Sequence, residues 1–141
     1  MAALAALIVS TQHTQDAVAN GDTRYLRLYH NHTKESLTVT FRRNGQYDAR
    51  GLEQLNWFLR DWRRDEPTRM DPELFDTLWA VYREVGSDEP IHVNSAYRSP
   101  HTNAMLRRRS RAVAKHSQHM RGKALDFYLP DVPIDRVRAV G

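Results

Sequence analysis

Residues 115–128 read Lys-His-Ser-Gln-His-Met-Arg-Gly-Lys-Ala-Leu-Asp-Phe-Tyr. This stretch places an imidazole, His119, before a glycine, Gly122, and then a carboxylate, Asp126, inside a short run of strand-forming residues. Apolar side chains alternate with others over residues 124–129, so Asp126 is expected on the face turned away from the core. A carboxylate between apolar neighbours loses solvation unless a positive partner compensates it, and a divalent cation shared with His119 or an arginine would do so. The stretch therefore predicts half of a metal site, with an ion pair to arginine as the alternative.

The composition limits what such a site can contain. The chain has 141 residues, of which 40% are hydrophobic, enough for one domain with a real core. It has no cysteine, which excludes disulfides, thiolate zinc sites and cysteine nucleophiles. Any metal must therefore be held by histidine and by aspartate or glutamate.

A formal net charge of +4 favours an acidic partner such as nucleic acid, an anionic membrane or a cell-wall polymer. Arginines cluster at 107–109 and 111, on the outer face of a helix predicted over residues 102–111. Such a run is typical of a solvated face. A surface that tracks phosphates would interleave aromatic residues for stacking, and none lies between Arg98 and Lys123. Nucleic acid is therefore not the favoured partner.

The N-terminus begins with an apolar run, Met1 to Val9, that is far shorter than the roughly 20 residues needed to span a bilayer. Ala17-Val18-Ala19 is similar to a signal-peptide cleavage site, although the basic residues expected before the apolar run are missing. We expect residues 1–22 to be disordered or signal-like, with a membrane anchor before Met1 as an open alternative, and residues 23–141 to form one domain.

Within that domain the hydrophobic spacing alternates between strand and helix patterns. Residues 25–30 and 37–41 predict a hairpin, and Asn44-Gly45 predicts a further turn. Helical spacing over residues 52–62 predicts an amphipathic helix, and a second one begins at Asp71-Pro72 and ends at Gly86. A strand is predicted over residues 91–97. A last helix opens at 131–133 and reaches Gly141 after about two turns, from which we expect the natural domain to continue further.

Two motifs, Asn94-Ser95-Ala96-Tyr97-Arg98-Ser99 and Ser117-Gln118-His119-Met120-Arg121-Gly122-Lys123-Ala124-Leu125-Asp126, together resemble the leading motifs of zinc peptidases of the M15 family. The similarity extends over residues 25–141 and is greatest to the murein endopeptidase K branch. The resemblance implies an α+β fold of the M15/Hedgehog type, incomplete here, with a small antiparallel sheet, helices packed on one side and a metal cleft on the sheet face.

On that resemblance His119 and Asp126 are the first two ligands of Zn²⁺, and Arg98 is the catalytic arginine. The family takes its third ligand from a downstream Val-His-x-Asp-type segment, near the acidic general base, and neither is found in this chain. Ser117, Gly122 and Tyr97 are interpreted as supporting residues, with Lys115 as a further loop residue.

Several of these residues keep a second interpretation. The planar fork of Arg98 suits an oxyanion or a substrate carboxylate, but it also suits an ion pair with Asp126 or another acidic residue. His116 would share a face with His119 only if the segment were helical, whereas Ser117 and Gly122 favour a loop. His92 is more typical of a hydrogen-bonded strand histidine than of a ligand.

The resemblance implies an exported, periplasmic or secreted zinc metallopeptidase that hydrolyses peptide cross-links between peptidoglycan stems. Water activated by zinc would attack an amide polarised by zinc and Arg98. Two alternatives remain at this point. The first is a truncated, inactive member that binds wall peptides without cutting them, and the second is a basic module that binds nucleic acid.

Overall fold

A five-stranded sheet organises the part of the chain that the computed structural model describes, residues 21–140. The strands stand in the order β3-β2-β1-β4-β5. Their bounds are β1 (Arg24–His30), β2 (Ser36–Arg43), β3 (Gln46–Tyr47), β4 (Ile91–Ser95) and β5 (Asp126–Tyr128). Within these residues four α-helices, α1 (Ala49–Phe58), α2 (Pro72–Val85), α3 (Pro100–Arg109) and α4 (Ile134–Val140), accompany one 3₁₀-helix, Gln118–Arg121.

The α+β class is confirmed, and the pairing of the strands is mostly antiparallel. The predicted hairpin is present as β1 and β2, which pair from Arg24 with Arg42 to Tyr29 with Ser36. The wholly antiparallel sheet is wrong in one place, because β1 and β4 are parallel. The long connection through β3, α1 and α2 returns the chain to the same end of the sheet, as parallel neighbours require.

One face of the sheet is buried and the other is open. Leu26 and Leu28 of β1 are buried, whereas Tyr25 and Arg27, which alternate with them, are exposed. The buried face packs against apolar side chains of α1 and α2, as expected for helices on one side of a sheet. These helical core residues are Leu55, Phe58, Phe75, Leu78, Val81 and Val85.

The signals for turns and helix ends are confirmed at three places. Asn44 and Gly45 both have positive φ in the turn between β2 and β3. The Asp71 side chain accepts a hydrogen bond from the Glu73 amide at the start of α2 (3.0 Å), and Gly86 ends that helix in the left-handed region. Local capping chemistry therefore fixed these boundaries.

Other predicted boundaries are wrong by a few residues. Helix α3 begins at Pro100 and not at residue 102, because the Ser99 hydroxyl accepts a hydrogen bond from the Thr102 amide and caps the helix (3.2 Å). Strand β4 ends at Ser95 and α1 ends at Phe58, earlier than residues 97 and 62. In both cases apolar residues beyond the end of the element, such as Leu59 and Tyr97, lie in a loop but still pack against the core.

The last residue of β1, His30, lies inside the core. His30 is fully buried, and its Nδ1 accepts from the backbone amides of His32 (3.1 Å) and Thr33 (3.4 Å). Burial, together with the neighbouring charge of His32, lowers the pKa of His30 to about 4. The imidazole is therefore neutral at physiological pH, with its hydrogen on Nε2.

The interpretation of residues 1–22 as disordered or signal-like falls almost entirely outside the described residues and stays a prediction. None of the helices within residues 21–140 combines the length and apolarity that crossing a bilayer requires.

Candidate metal centre

The segment that carries His119 is a single 3₁₀ turn, where the sequence predicted a loop. Ser117 precedes the turn, and its hydroxyl accepts a hydrogen bond from the His119 amide (3.2 Å). Gly122 ends the turn with φ of 67°, in the left-handed region. A capping serine and a left-handed glycine are sufficient to hold such a short helix, so the two residues that suggested a loop delimit a turn.

Gly122 also meets the chain that precedes α2. A Cβ atom at this position would lie 3.1 Å from the Arg69 carbonyl oxygen and 3.1 Å from the Met70 Cα. The Gly122 carbonyl accepts a hydrogen bond from the Asp71 amide (2.9 Å). The turn therefore lies so close to its neighbour that a Cβ atom at Gly122 would require the backbone of residues 69–70 to shift by a few tenths of an ångström.

Two hydrogen bonds fix the orientation of His119. Its Nδ1 lies 2.7 Å from the Ala96 carbonyl oxygen, which can only accept, so Nδ1 carries the hydrogen. The Arg98 amide donates to the His119 carbonyl (3.0 Å). In the neutral imidazole Nε2 therefore presents a lone pair, the arrangement found in histidines that bind metals.

That lone pair faces Asp126 at the start of β5. His119 Nε2 lies 3.3 Å from Asp126 Oδ2. A direct charge-assisted hydrogen bond is shorter, about 2.7–2.9 Å. Two ligands of one tetrahedral zinc, with metal distances of about 2.0–2.2 Å, stand about 3.4 Å apart. The pair therefore fits the spacing of two donors on a shared cation.

The pair alone is not a complete ligand set. Within residues 21–140 no group of three or more histidine, aspartate or glutamate side chains is placed to hold one metal ion. A catalytic zinc normally takes three protein ligands and leaves one position open. His119 and Asp126 thus supply at most two of these three positions.

Asp126 is more open than the sequence argument assumed. Its side chain is 60% exposed, compared with 14% for His119. The inference that burial between apolar neighbours demands a cation is therefore wrong, because solvent reaches the carboxylate. The predicted metal cleft is also not shown in the described part of the chain. Asp126 is exposed because it lies on β5, which is an edge strand of the described sheet and pairs only with β4.

The side chain of Arg98 is held by a hydrogen bond to Asn103. Its Nη1 donates to Oδ1 of the buried Asn103 (3.2 Å), and Asn103 Nδ2 donates to the Ala114 carbonyl (3.0 Å). The alternative ion pair between Arg98 and Asp126 is not formed among residues 21–140, where the Asp126 carboxylate lies 3.3 Å from His119 Nε2. Arg98 Nε is buried and has no hydrogen-bond partner in this part of the chain.

Residues 18–141 match the peptidase M15 family model described as "Peptidoglycan L,D-endopeptidase MepK". The chain belongs to this family. MepK of Escherichia coli (strain K12) is 39% identical over 115 residues, which is 82% of this chain and 63% of that protein. A probable MepK of Haemophilus influenzae is 37% identical over 117 residues, with the same shares covered. The chain thus spans 63% of the length of each of these curated relatives, and no solved structure is a significant match.

Three other residues predicted for the site of this MepK-family chain are Tyr97, Lys115 and His116. Tyr97 is half-buried, and its amide donates to the Leu59 carbonyl (3.1 Å). Burial raises the pKa of the Tyr97 phenol, and Glu66 and Asp61 raise it further. Lys115 and His116 are exposed.

Two further predictions concern residues away from the turn. His92 Nδ1 lies 3.2 Å from Asn31 Oδ1, as expected for a hydrogen-bonded strand histidine. The arginines at 107–109 and 111 are all exposed, which agrees with a solvated face.

Two buried polar residues, Asn103 and Asp61, were not predicted from the sequence; they bond to Arg98 and Ser99. Asn103 lies in the first turn of α3, four residues after the capping Ser99. The helical spacing of α3 could have predicted that Asn103 faces the interior. Asp61 follows a helix pattern without any motif of its own, and only the fold brings it into contact with Ser99.

Proposed function

We propose that this chain is part of a zinc-dependent endopeptidase that hydrolyses peptide cross-links of bacterial peptidoglycan. Membership of the MepK family supports the class of reaction and of substrate. The observation that carries the proposal is the geometry of His119, whose Nε2 lone pair faces Asp126 Oδ2 at 3.3 Å. That spacing suits two ligands of one zinc ion.

His119 and Asp126 would hold the metal, and Ala96 would keep the imidazole in the tautomer that leaves Nε2 free. Zinc in such a site supplies Lewis-acid chemistry, which polarises a carbonyl and makes hydroxide available near neutral pH. The open surface at Asp126 gives an extended polymer room to approach. The third ligand and the general base are not assigned to any residue in 21–140.

Arg98 is proposed to act on the substrate. Asn103 occupies Nη1, and the guanidinium cannot lose its charge at physiological pH. The N–H groups of Nη1 and Nη2 that Asn103 does not use suit the oxyanion that develops when water attacks an amide, or a carboxylate of the peptide stem. Both roles require the guanidinium to be held in place before substrate arrives, and the bond to Asn103 does this.

The curated relatives are named L,D-endopeptidases, and we propose the same type of peptide bond as the substrate here. Peptidoglycan lies outside the cytoplasmic membrane. The proposal therefore includes export of the protein to the periplasm or beyond.

A second candidate function is binding of wall peptides without hydrolysis. The observation in its favour is that residues 21–140 bring only two candidate zinc ligands together, not three. Such a binder would use the same surface and the same arginine, but it would release no product.

The two candidates are separated by incubating the protein with purified peptidoglycan and analysing the soluble products by mass spectrometry. With added zinc the endopeptidase yields new muropeptides, and both a chelator and His119→Ala abolish them. His101→Ala, which removes an exposed histidine of α3, serves as the matched control and keeps full activity. Sedimentation with peptidoglycan and no new product, even with zinc present, would reject the enzyme and support the binder.

A further inference from the structure

Asp61 is a buried carboxylate that the proposed reaction does not use. It is 1% exposed and contacts Ser99, the last residue of the segment 96–99. Oδ2 accepts from both the amide (3.1 Å) and the hydroxyl (2.7 Å) of Ser99, and Oδ1 accepts from the Arg63 amide (3.1 Å). A buried carboxylate with three such bonds acts as a fixed anchor for whatever donates to it.

Asp61 is anchored in its ionised form. Burial opposes its ionisation, but hydrogen bonds from the side chains of Thr102 and Ser99, and then from the Ser99 and Arg63 amides, outweigh that effect and hold the pKa of Asp61 below its usual value. An ionised carboxylate has acceptor sites only, and its neighbours here are all donors.

The segment that Asp61 anchors is the one that orients the candidate metal centre. Residues 96–99 contact His119 at two points, through the Ala96 carbonyl that fixes Nδ1 and through the Arg98 amide that fixes the His119 carbonyl. The same segment carries the Arg98 side chain. Leu59 adds a second attachment, because its carbonyl accepts from the Tyr97 amide (3.1 Å). The loop after α1 therefore holds the segment that His119 contacts.

We propose that Asp61 is a positioning residue of the metal centre, which fixes residues 96–99 and through them the directions of His119 Nε2 and Arg98. This inference rests on the proposed function, since it assigns Asp61 to the support of that site. Asp61 touches neither the metal position nor the substrate. Its effect reaches the centre through two backbone groups, the Ala96 carbonyl and the Arg98 amide.

Asp61→Asn is the sharpest perturbation because it keeps the shape of the side chain. The amide has one oxygen, so one of the two positions now bonded to Ser99 or Arg63 becomes an NH₂ group that faces a donor. Residues that orient a metal ligand typically change metal affinity by about 10- to 100-fold when substituted. We expect Asp61→Asn to weaken zinc binding at least tenfold.

Asp76→Asn is the matched control. Asp76 on α2 also accepts several hydrogen bonds, from Arg24 Nη1 (2.9 Å) and Arg42 Nη1 (3.2 Å), but none of its partners lies in residues 96–99 or 117–122. Both variants lose a hydrogen-bonded carboxylate. Only Asp61→Asn should disturb the metal centre.

Two measurements on the full chain, made at a temperature where all variants are folded, test whether Asp61 positions the metal centre. Zinc affinity is measured by competition with a chromophoric chelator, and the exchange rate of the Arg98 amide hydrogen is measured by NMR. Asp61→Asn is expected to weaken zinc binding at least tenfold and to accelerate Arg98 exchange at least tenfold, while Asp76→Asn leaves both at the wild-type level. Unchanged zinc affinity in folded Asp61→Asn overturns the inference, as does an equal change in the two variants.

Failure of the proposed function has a different signature. If His119→Ala binds zinc as tightly as the wild type, the metal assignment is wrong. The Arg98 exchange rate then decides the role of Asp61 alone, because it reports how firmly residues 96–99 are held without reference to any metal. Unchanged exchange in Asp61→Asn would overturn the positioning role in that case too.

Discussion

Gly122 tests whether the turn that carries His119 is held by close packing or only by backbone conformation. Gly122 and Gly86 have nearly the same backbone angle, with φ of 67° and 65°, so alanine meets similar left-handed strain at both, about 1–2 kcal/mol. Their surroundings differ. A Cβ at Gly86 meets nothing within 4 Å, whereas at Gly122 it lies 3.1 Å from backbone atoms of Arg69 and Met70. Backbone cannot swing aside as a flexible side chain does, and forced packing adds about 1–3 kcal/mol.

We therefore expect Gly86→Ala to lower the free energy of unfolding by about 1–2 kcal/mol and Gly122→Ala by about 2–5 kcal/mol. Urea unfolding followed by circular dichroism measures both, with similar slopes expected for the two variants. Gly122→Ala should also weaken zinc binding, because relief of the clash moves the turn that holds His119. Equal destabilisation by the two substitutions would refute the packing argument.

Three further predictions follow from single contacts. Folded His30 resists protonation, so the unfolded chain binds more protons than the folded chain between pH 4 and 6.5. The free energy of unfolding should therefore be highest above about pH 6.5 and should fall by about 3 kcal/mol as the pH is lowered towards 4. Urea unfolding across that range should show the loss, and a profile equally steep in His30→Asn would contradict it. Asn103→Ala should lower the rate of peptidoglycan cleavage about tenfold with zinc affinity nearly unchanged, because it releases Arg98 from its hydrogen bond; a loss confined to zinc binding would contradict that role. Asp71→Ala should destabilise α2 by about 1 kcal/mol, as measured by thermal unfolding, since it removes the cap, and an unchanged melting temperature would argue against it.

The sequence predicted most of the fold because local chemistry determines most of its elements. The alternation in β1 and β2 and the cap and stop of α2 act over a few residues and are confirmed. The parallel pairing of β1 with β4 was not predictable in this way, because it depends on how a long connection crosses the sheet.

In the candidate site, too, residues within one local stretch were predicted and residues that depend on distant contacts were not. His119 and Asp126 were proposed from one stretch of sequence, and the structure brings them to 3.3 Å. The reason given for a cation at Asp126 failed, because strand alternation indicates the face of a residue but not the exposure of an edge strand. Asp61 and Asn103 escaped notice because their partners lie on other elements, and no local pattern records that they are buried.

The most direct test of the account is a zinc titration followed by ¹⁵N NMR of the histidine rings. We predict that His119 Nε2 shifts with a single binding event, that Nδ1 keeps its hydrogen on the Ala96 carbonyl, and that Asp126→Ala greatly weakens the shift. A titration in which zinc perturbs exposed histidines such as His101 and His116 while His119 stays unchanged, or in which Asp126→Ala has no effect, would contradict the claim that these two side chains share one metal ion.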